Sequence, residues 1–410
     1  MKSIILTGLL LANGIAGHVI RRHSQQFDLA CQVTGKAVYL LTNDAENSVV
    51  ALPINEDGTL AAGTVTPSGG KGSNSIDGTT MGPAQPDALV SQSALTIAGS
   101  HIFAVNAGSN SLSMLSICKD DPTKLTLVGQ PAAVPAEFPN TVAVSNKNKL
   151  ACVGATGAVA GISCASFSNK GLGAMDALRA IDLGQSTPPV GPTNTVSHAF
   201  FSEDESTLFT MVKGDPAVNK TGFLSTLAVQ RNTSCRGVGR VAAAPQDTRS
   251  SPEGTAVLFG SQVIPGTGNT FATDASFGAA VMSVDVKTGQ AAVIGKQAID
   301  GQKATCWAAF APATGSVFVT DVGVPRIIEM SADNASIIST IDLSASGDPG
   351  FIDLKASGPF LYALSPGNGT TDAAIVVMNI SSGQGTANAI QRFSLNGMAG
   401  ANAQGMAILD

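Results

Sequence analysis

The chain has 410 residues, of which 44% are hydrophobic and only 13% charged, and it contains 45 glycines. A chain of this length can bury one large core or several repeated cores, and low charge with abundant glycine is typical of a turn-dense β protein. Its formal net charge of −6, with one tryptophan and two tyrosines, supplies neither the basic surface nor the stacking rings that nucleic-acid binding needs.

The N-terminus has the pattern of a secretory signal. Lys2 precedes an apolar run that ends at Ala16, so we predict a signal peptide over residues 1–16. The dibasic pair Arg21-Arg22 predicts a propeptide over residues 17–22, with two solvated arginines in a frayed terminus as the alternative. The run is too short to span a bilayer and no other segment is long and apolar enough for a membrane helix, so we expect a secreted, extracellular or cell-wall protein without a membrane segment.

Glycosylation and disulfide signals agree with export. Five Asn-x-Ser/Thr sequons occur, at Asn219, Asn232, Asn334, Asn368 and Asn379. The six cysteines are Cys31, Cys118, Cys152, Cys164, Cys235 and Cys306. No two form a C-x-x-C pair, so disulfides are expected rather than a metal site. Cys152 and Cys164 flank a Gly-rich turn within one hairpin and form the first candidate pair; the other pairings stay open.

A unit of three apolar strands joined by turns recurs seven times and predicts the fold. The first strands of these units, which are the second strands of the predicted blades, begin at Ala37, His101, Lys149, Thr207, Thr255, Ser316 and Pro359. Their spacing is that of four-stranded propeller blades. An extra inner strand precedes six of the units, at Pro86, Pro139, Asn194, Arg249, Thr305 and Pro349.

The first unit lacks an upstream strand, and the segment from Gln404 to Leu409 can supply it. A closed ring leaves no unpaired edge, whereas a β-sandwich would not explain complementary chain ends. We therefore predict an all-β fold, a single seven-bladed β-propeller over residues 23–410, closed by the C-terminal strand. We expect a monomer.

Three stretches carry a family resemblance: 38–52, 273–281 and 396–400, which read VYLLTNDAENSVVAL, TDASFGAAV and NGMAG. They resemble fungal secreted glycoproteins similar to 3-carboxymuconate cyclases, seven-bladed lactonase-type propellers also related to 6-phosphogluconolactonases. Some members of that group are surface antigens and adhesins. The resemblance covers nearly the whole mature chain and implies an extracellular or cell-wall fungal propeller.

The cyclase reaction implied by this family is cofactor-free and uses a general acid or base with cations that hold an acidic substrate. His198 lies where family enzymes carry a histidine near the channel, and Arg249, Lys213 and Asp274 are the other candidate catalytic residues. The alternatives are a structural role for His198 and local carboxylate pairing for Arg249 and Lys213. The family's second arginine and its glutamate have no counterparts here.

The leading functional interpretation is a propeller glycoprotein that acts by binding cell-wall or host-surface components, as an adhesin or antigen. The alternative is a cyclase- or lactonase-type enzyme that takes a small acidic ligand in the propeller channel. His198, Arg249 and Lys213 gathered in one concave site would favour the enzyme, and their dispersal would favour the binding protein. No motif predicts a metal or a cofactor.

Overall fold

The computed structural model describes residues 35–232 and 240–410, besides Met1, and is almost entirely β. Its strands run from Lys36 to Leu409, and the sheets form seven blades. The fold prediction is confirmed. The predicted signal peptide, propeptide and domain start at residue 23 lie outside the described residues.

Each blade contains at least four antiparallel strands. The first half of the ring holds, in chain order, β1 (Lys36–Leu41), β2 (Ser48–Ile54) and β3 (Thr64–Pro67) in blade one; β4 (Ile76–Asp77) in the loop that follows; β5 (Leu95–Ala98), β6 (His101–Asn106), β7 (Ser111–Cys118), β8 (Asp121–Leu127) and β9 (Ala132–Ala133) in blade two; and β10 (Pro139–Ser145), β11 (Leu150–Thr156), β12 (Ala160–Ser168), β13 (Gly171–Leu172) and β14 (Arg179–Ala180) in blade three.

The second half begins with the short strand β15 (Val190–Gly191), which lies before blade four and pairs in parallel with β4 from the loop after blade one. It holds β15 (Val190–Gly191); β16 (Val196–Phe201), β17 (Thr207–Val212), β18 (Phe223–Asn232), β19 (Arg240–Ala243) and β20 (Thr248–Ser250) in blade four; β21 (Leu258–Val263), β22 (Asn269–Asp274), β23 (Gly278–Asp285) and β24 (Gln290–Ala298) in blade five; β25 (Thr305–Ala311), β26 (Ser316–Asp321), β27 (Val324–Ser331) and β28 (Ile337–Asp342) in blade six; β29 (Ile352–Ser357), β30 (Phe360–Ser365), β31 (Ala374–Asn379) and β32 (Asn388–Ser394) in blade seven; and β33 (Gln404–Leu409). Single 3-10 turns occupy Ala107–Ser109, Pro216–Val218 and Ser344–Ser346.

The ring closes through β33, which pairs with β1 as the inner strand of blade one. Ala37 faces Leu409 and Tyr39 faces Ala407 in this pairing. Closure covers the edge of β1 that would otherwise expose unpaired backbone groups. Large side chains fill the contacts between blades: the Tyr39 hydroxyl donates to the Pro122 carbonyl of blade two at 2.7 Å.

Two predicted inner strands are wrong. The inner strand of blade two is β5, not the segment that starts at Pro86, because Val90 and Ser93 adopt positive φ angles that interrupt an extended strand. In blade five the inner strand is β21, and Arg249 lies instead on β20, at the outer side of blade four. Pro252 and the positive-φ Gly254 separate Arg249 from the strand that enters the channel.

The misassigned residues 87–93 form what we call the channel segment, which crosses the central channel from one end to the other. Its hydrogen bonds reach blades three, four, six and seven. The Gln92 amide exchanges bonds with both backbone groups of Ala308 in blade six, and the Trp307 indole donates to the Ser91 carbonyl at 3.1 Å. Gln92 N–H donates to the Ser197 carbonyl of blade four. A segment satisfied on all sides in this way is a fixed part of the channel wall.

The predicted Cys152–Cys164 pair is bonded in the structure and joins directly opposed residues of β11 and β12. Cys118 is exposed and Cys306 buried, both as thiols, while Cys31 and Cys235 lie outside the described residues.

Three sequon asparagines, at positions 219, 334 and 368, are exposed and Asn379 is half-buried; the side chain of Asn232 is not described. None of the helical turns described is long or apolar enough to cross a membrane.

Candidate active site at the start face of the channel

The channel segment separates two cavities in the propeller axis. The start-face cavity lies where the inner strands begin, has a volume of about 410 Å³ and is lined by Asp87, Val90 and Lys213 among others. The end-face cavity lies where those strands end, has a volume of about 390 Å³ and is lined by Ser93 and His198 among others. No residue lines both, so each end of the channel has its own chemistry.

Lys213 is the central cation of the start-face cavity. It follows β17 directly and its side chain is almost fully buried, with 1% exposure. Its ammonium donates to the Val90 carbonyl at 2.7 Å and lies 4.4 Å from the centre of the Phe259 ring. One hydrogen bond and a cation–π contact leave two ammonium hydrogens for a ligand.

Asp87 faces the same cavity from the start of the channel segment. The backbone N–H groups of Val90 and Ser91 donate to its carboxylate. Its Oδ1 is buried and has no hydrogen-bond partner in the structure. Because a buried carboxylate oxygen without a donor is unfavourable, this atom is suited to accept a hydrogen bond from a bound molecule or a water.

Burial moves the pKa values of both groups toward neutrality. Burial raises the pKa of Asp87 to about 7, and the Lys213 charge opposes that shift. Burial lowers the pKa of Lys213 to about 8, and the Asp87 charge opposes it. A carboxylate and an ammonium that both titrate near physiological pH can exchange protons with a substrate, the property required of a general base and a general acid.

The remaining wall of the cavity is largely apolar. Pro86, Pro192, Val257 and Phe259 line it, and Lys303 is exposed at its rim. Cys306 also lines it, but burial raises the pKa of its thiol well above the ordinary value, so it stays protonated and is not a nucleophile. An apolar pocket with a few convergent polar groups is the usual form of a small-molecule site.

The repeat explains why Lys213 reaches the cavity. Lys213, Ala275 and Val322 each come directly after the second strand of their blades, and all three line the cavity. The same architectural position therefore holds a cation in blade four and an apolar residue in blades five and six.

The structure places Asp274 beside the cavity but gives it a structural role. Its carboxylate accepts the N–H groups of Ala256 and Val257 at 2.7 and 3.0 Å, together with the N–H and hydroxyl of Ser276. Asp274 holds the chain that enters β21, so it has no free oxygen for catalysis in this arrangement.

The other two predicted residues lie elsewhere. His198 lines the end-face cavity, on the far side of the channel segment from Lys213. Arg249 is half-exposed at the edge of blade four, where its Nε lies 3.0 Å from Asp247 and its guanidinium covers the ring of Phe223. His198, Arg249 and Lys213 therefore do not share a site, and the cluster expected for a cyclase is not formed.

The residue that shares the start-face cavity with Lys213 is instead Asp87. Asp87 fell within the inner strand predicted to start at Pro86, because its apolar neighbours have the pattern of a strand and give no sign that the chain crosses the channel. The available signal was the alignment of blades four, five and six, which places a lysine where the other two blades have Ala275 and Val322. Among the residues described, no group of three or more His, Cys, Asp or Glu side chains is arranged to hold a metal.

The fold resembles that of several solved propellers. A periplasmic gluconolactonase from Pseudomonas aeruginosa matches with a TM-score of 0.65 at 12% identity, covering 92% of this chain and 99% of that one. A protein described as a candidate 6-phosphogluconolactonase from Bacteroides fragilis matches with a TM-score of 0.58 at 9% identity, over the same shares. No family model and no curated protein matches the sequence. At these identities the likeness shows the propeller fold.

Proposed function

We propose that the protein is a lactonase-type enzyme that opens, or in reverse closes, a small lactone ring in the start-face cavity. The observation that carries the proposal is the pairing of Asp87 and Lys213 in one buried pocket, with pKa values of about 7 and 8 and with unused hydrogen-bonding capacity on both groups. The likeness to propellers named as lactonases supports the same reaction class by analogy of fold.

The chemistry follows from the two groups. The Asp87 carboxylate takes a proton from a water molecule as its oxygen attacks the lactone carbonyl carbon. The Lys213 ammonium stabilises the negative charge that develops on the carbonyl oxygen and then gives a proton to the ring oxygen as the acyl C–O bond breaks. The product is a hydroxy acid, and the proton on Asp87 returns to Lys213 through solvent.

The cavity wall indicates the substrate. Phe259, Pro192 and Val257 suit a ring with an apolar face, and Lys303 at the rim suits a carboxylate on that ring. We therefore favour a lactone that carries a carboxylate over a fully hydroxylated sugar lactone, because most of the residues that line the cavity are apolar.

The test is hydrolysis of a panel of lactones, followed by acid release at constant pH: carboxylated γ-lactones, neutral γ-lactones and glucono-δ-lactone. We expect the carboxylated lactones to be hydrolysed fastest and Lys213→Met to lose that activity. Lys220→Met is the matched control, because Lys220 lies in the same loop and its ammonium also contacts a carbonyl, that of Leu183, outside the cavity. No turnover of any lactone above the blank by folded protein would contradict the proposal.

We also propose that the protein is exported and glycosylated. The bonded Cys152–Cys164 pair supports an oxidising compartment, and the three exposed sequon asparagines are accessible for glycan attachment. The separation of His198, Arg249 and Lys213 is the outcome expected for a binding protein, whereas the pairing of Asp87 with Lys213 supports an enzyme that does not use His198 or Arg249. Binding to cell-wall or host-surface components therefore remains a prediction. Mass spectrometry of the protein secreted by its native host would test export and glycan attachment.

A further inference from the structure

Ser93 and His198 form a polar pair that the proposed lactonase site does not use. The Ser93 hydroxyl lies 3.0 Å from His198 Nε2, and both side chains line the end-face cavity. The remaining wall includes Leu95 and Val142, so the pair is the reactive feature of a mainly apolar pocket.

Ser93 is held rigidly in an unusual backbone conformation. Its φ angle is +63°, in the left-handed region that residues other than glycine rarely adopt. Its N–H donates to the carboxylate of Asp353, and its carbonyl accepts the N–H of Val142 at 2.8 Å. Both backbone groups are thus fixed, and the strained position aims the hydroxyl at His198. Strain of this kind is concentrated at functional sites.

His198 is held in place and neutral beside Ser93. Its ring stacks on Phe200, with centroids 5.0 Å apart and planes 25° from parallel, which fixes its orientation. Burial, followed by the charge of Lys355, lowers the pKa of His198 well below its ordinary value, so the ring is neutral at physiological pH but a weaker base than an ordinary histidine. Proton transfer from Ser93 therefore depends on the short contact between its hydroxyl and His198 Nε2. The Nδ1 atom of His198 has no partner in the structure, so Ser93 and His198 form a dyad without a carboxylate behind the histidine.

A positive charge lies at the same wall. Lys355 lines the cavity with a side chain 22% exposed, and its ammonium is 3.6 Å from the buried carboxylate of Asp353. Asp353 thus contacts both the Ser93 backbone and Lys355. An ammonium at this place can stabilise an oxyanion formed beside Ser93.

From this geometry we propose that Ser93 is a nucleophile activated by His198, and that the end-face cavity is a second reactive site, for small apolar esters. The Ser93 oxygen bonds to the ester carbonyl carbon while its proton passes to His198 Nε2. The ester C–O bond then breaks, and the leaving alcohol takes that proton. Water, deprotonated by His198, cleaves the acyl-serine to a carboxylic acid and restores both residues.

The experiment uses an alkyl fluorophosphonate on the full-length protein, with the mass of the intact protein and of its peptides as readout. Attack by Ser93 forms an O–P bond and breaks the P–F bond, fluoride leaves, and the serine proton passes through His198 to buffer. We expect one adduct on the wild type, located at Ser93, and none at that peptide in Ser93→Ala. His198→Gln should slow labelling at least tenfold.

Two controls separate this site from its surroundings. Ser261 lines the same cavity with a buried hydroxyl that has no hydrogen-bond partner in the structure, so Ser261→Ala should be labelled like the wild type. Lys220→Met should also be labelled normally, since Lys220 lines neither cavity. An unlabelled wild type, an adduct at a residue other than Ser93, or equal labelling of a folded His198→Gln variant would each overturn the proposal. The mapping of the adduct does not depend on the folding of any variant.

Discussion

The ammonium of Lys213 donates to the carbonyl of Val90, three residues after Asp87, so the cation is bound to the same segment that carries the carboxylate it influences. The two charges lie in one pocket but are not in direct contact as an ion pair. A ligand in the shared cavity can therefore contact both groups, with its reacting bond near a proton acceptor and a proton donor.

The first prediction concerns the pH dependence of lactone hydrolysis. The reaction needs Asp87 deprotonated and Lys213 protonated. Since their pKa values are about 7 and 8, kcat/KM should rise as pH approaches 7 and fall above 8, giving a narrow maximum between them. The measurement is initial rate from pH 5 to 9, corrected for the uncatalysed reaction, which rises steadily with pH. Full activity maintained down to pH 5 would show that the base is an ordinary carboxylate and not Asp87.

The second prediction concerns the anchoring of the channel segment. Gln92→Leu removes the side chain that pairs with both backbone groups of Ala308. Leaving a buried N–H and C=O unpaired costs about 1–3 kcal/mol for each group, so the free energy of unfolding should fall by at least about 2 kcal/mol. Urea denaturation measures it. The control, Gln290→Leu at an exposed position, should change stability by less than about 0.5 kcal/mol, and equal effects of the two variants would argue against this anchoring.

The closed seven-bladed ring could be predicted from sequence because it depends on repetition. Six of the seven second strands, those other than the one placed at Thr255, were located correctly, and the closing strand was found from the mismatch between the chain ends. The channel segment could not be predicted, because its buried apolar residues Ala88 and Leu89 give the pattern of a strand. What excludes a strand there is the backbone conformation at Val90 and Ser93, which short-range sequence patterns do not reveal.

The third prediction concerns the Cys152–Cys164 disulfide, which closes a loop of sequence separation 12. Loop-closure entropy gives about 3 kcal/mol of stabilisation for a loop of this size. The double variant Cys152→Ala/Cys164→Ala should unfold at correspondingly lower denaturant concentration. A reducing agent should lower the midpoint of the wild type toward that of the double variant and leave the variant unchanged. A wild-type midpoint equal to that of the variant under oxidising conditions would contradict the assignment.

The fourth prediction concerns the buried His198. In the unfolded chain this histidine takes up a proton below pH 6.5, whereas burial holds its folded-state pKa well below that value. The unfolded state then binds more protons, so stability present above pH 6.5 is lost as pH falls. Between pH 6.5 and 5.5 the wild type should lose about 1 kcal/mol relative to His198→Gln. Denaturant unfolding of both proteins at the two pH values gives this difference, and parallel behaviour would show that His198 is protonated in the folded protein.

The candidate site was only partly accessible to sequence reasoning. Lys213 lies at the channel directly after a second strand that the repeats located, and its catalytic role stays a prediction. Arg249 was misplaced, since Pro252 and Gly254 look like a turn inside a blade although they lie between two blades. Asp87 acquires its significance only through the path of the channel segment, so no local pattern could have joined it to Lys213.

The most direct test of the lactonase proposal is the turnover number for the best lactone of the panel, compared among the wild type, Asp87→Asn, Lys213→Met and the control Lys220→Met. Removal of a positioned acid or base typically costs 10²–10⁴-fold in rate. We predict a loss of at least about 100-fold in kcat for Asp87→Asn and for Lys213→Met. The control Lys220→Met should keep near-wild-type activity and unchanged thermal unfolding. Folded Asp87→Asn and Lys213→Met proteins that retain activity within a few-fold of the wild type would contradict a lactonase site at this end of the channel.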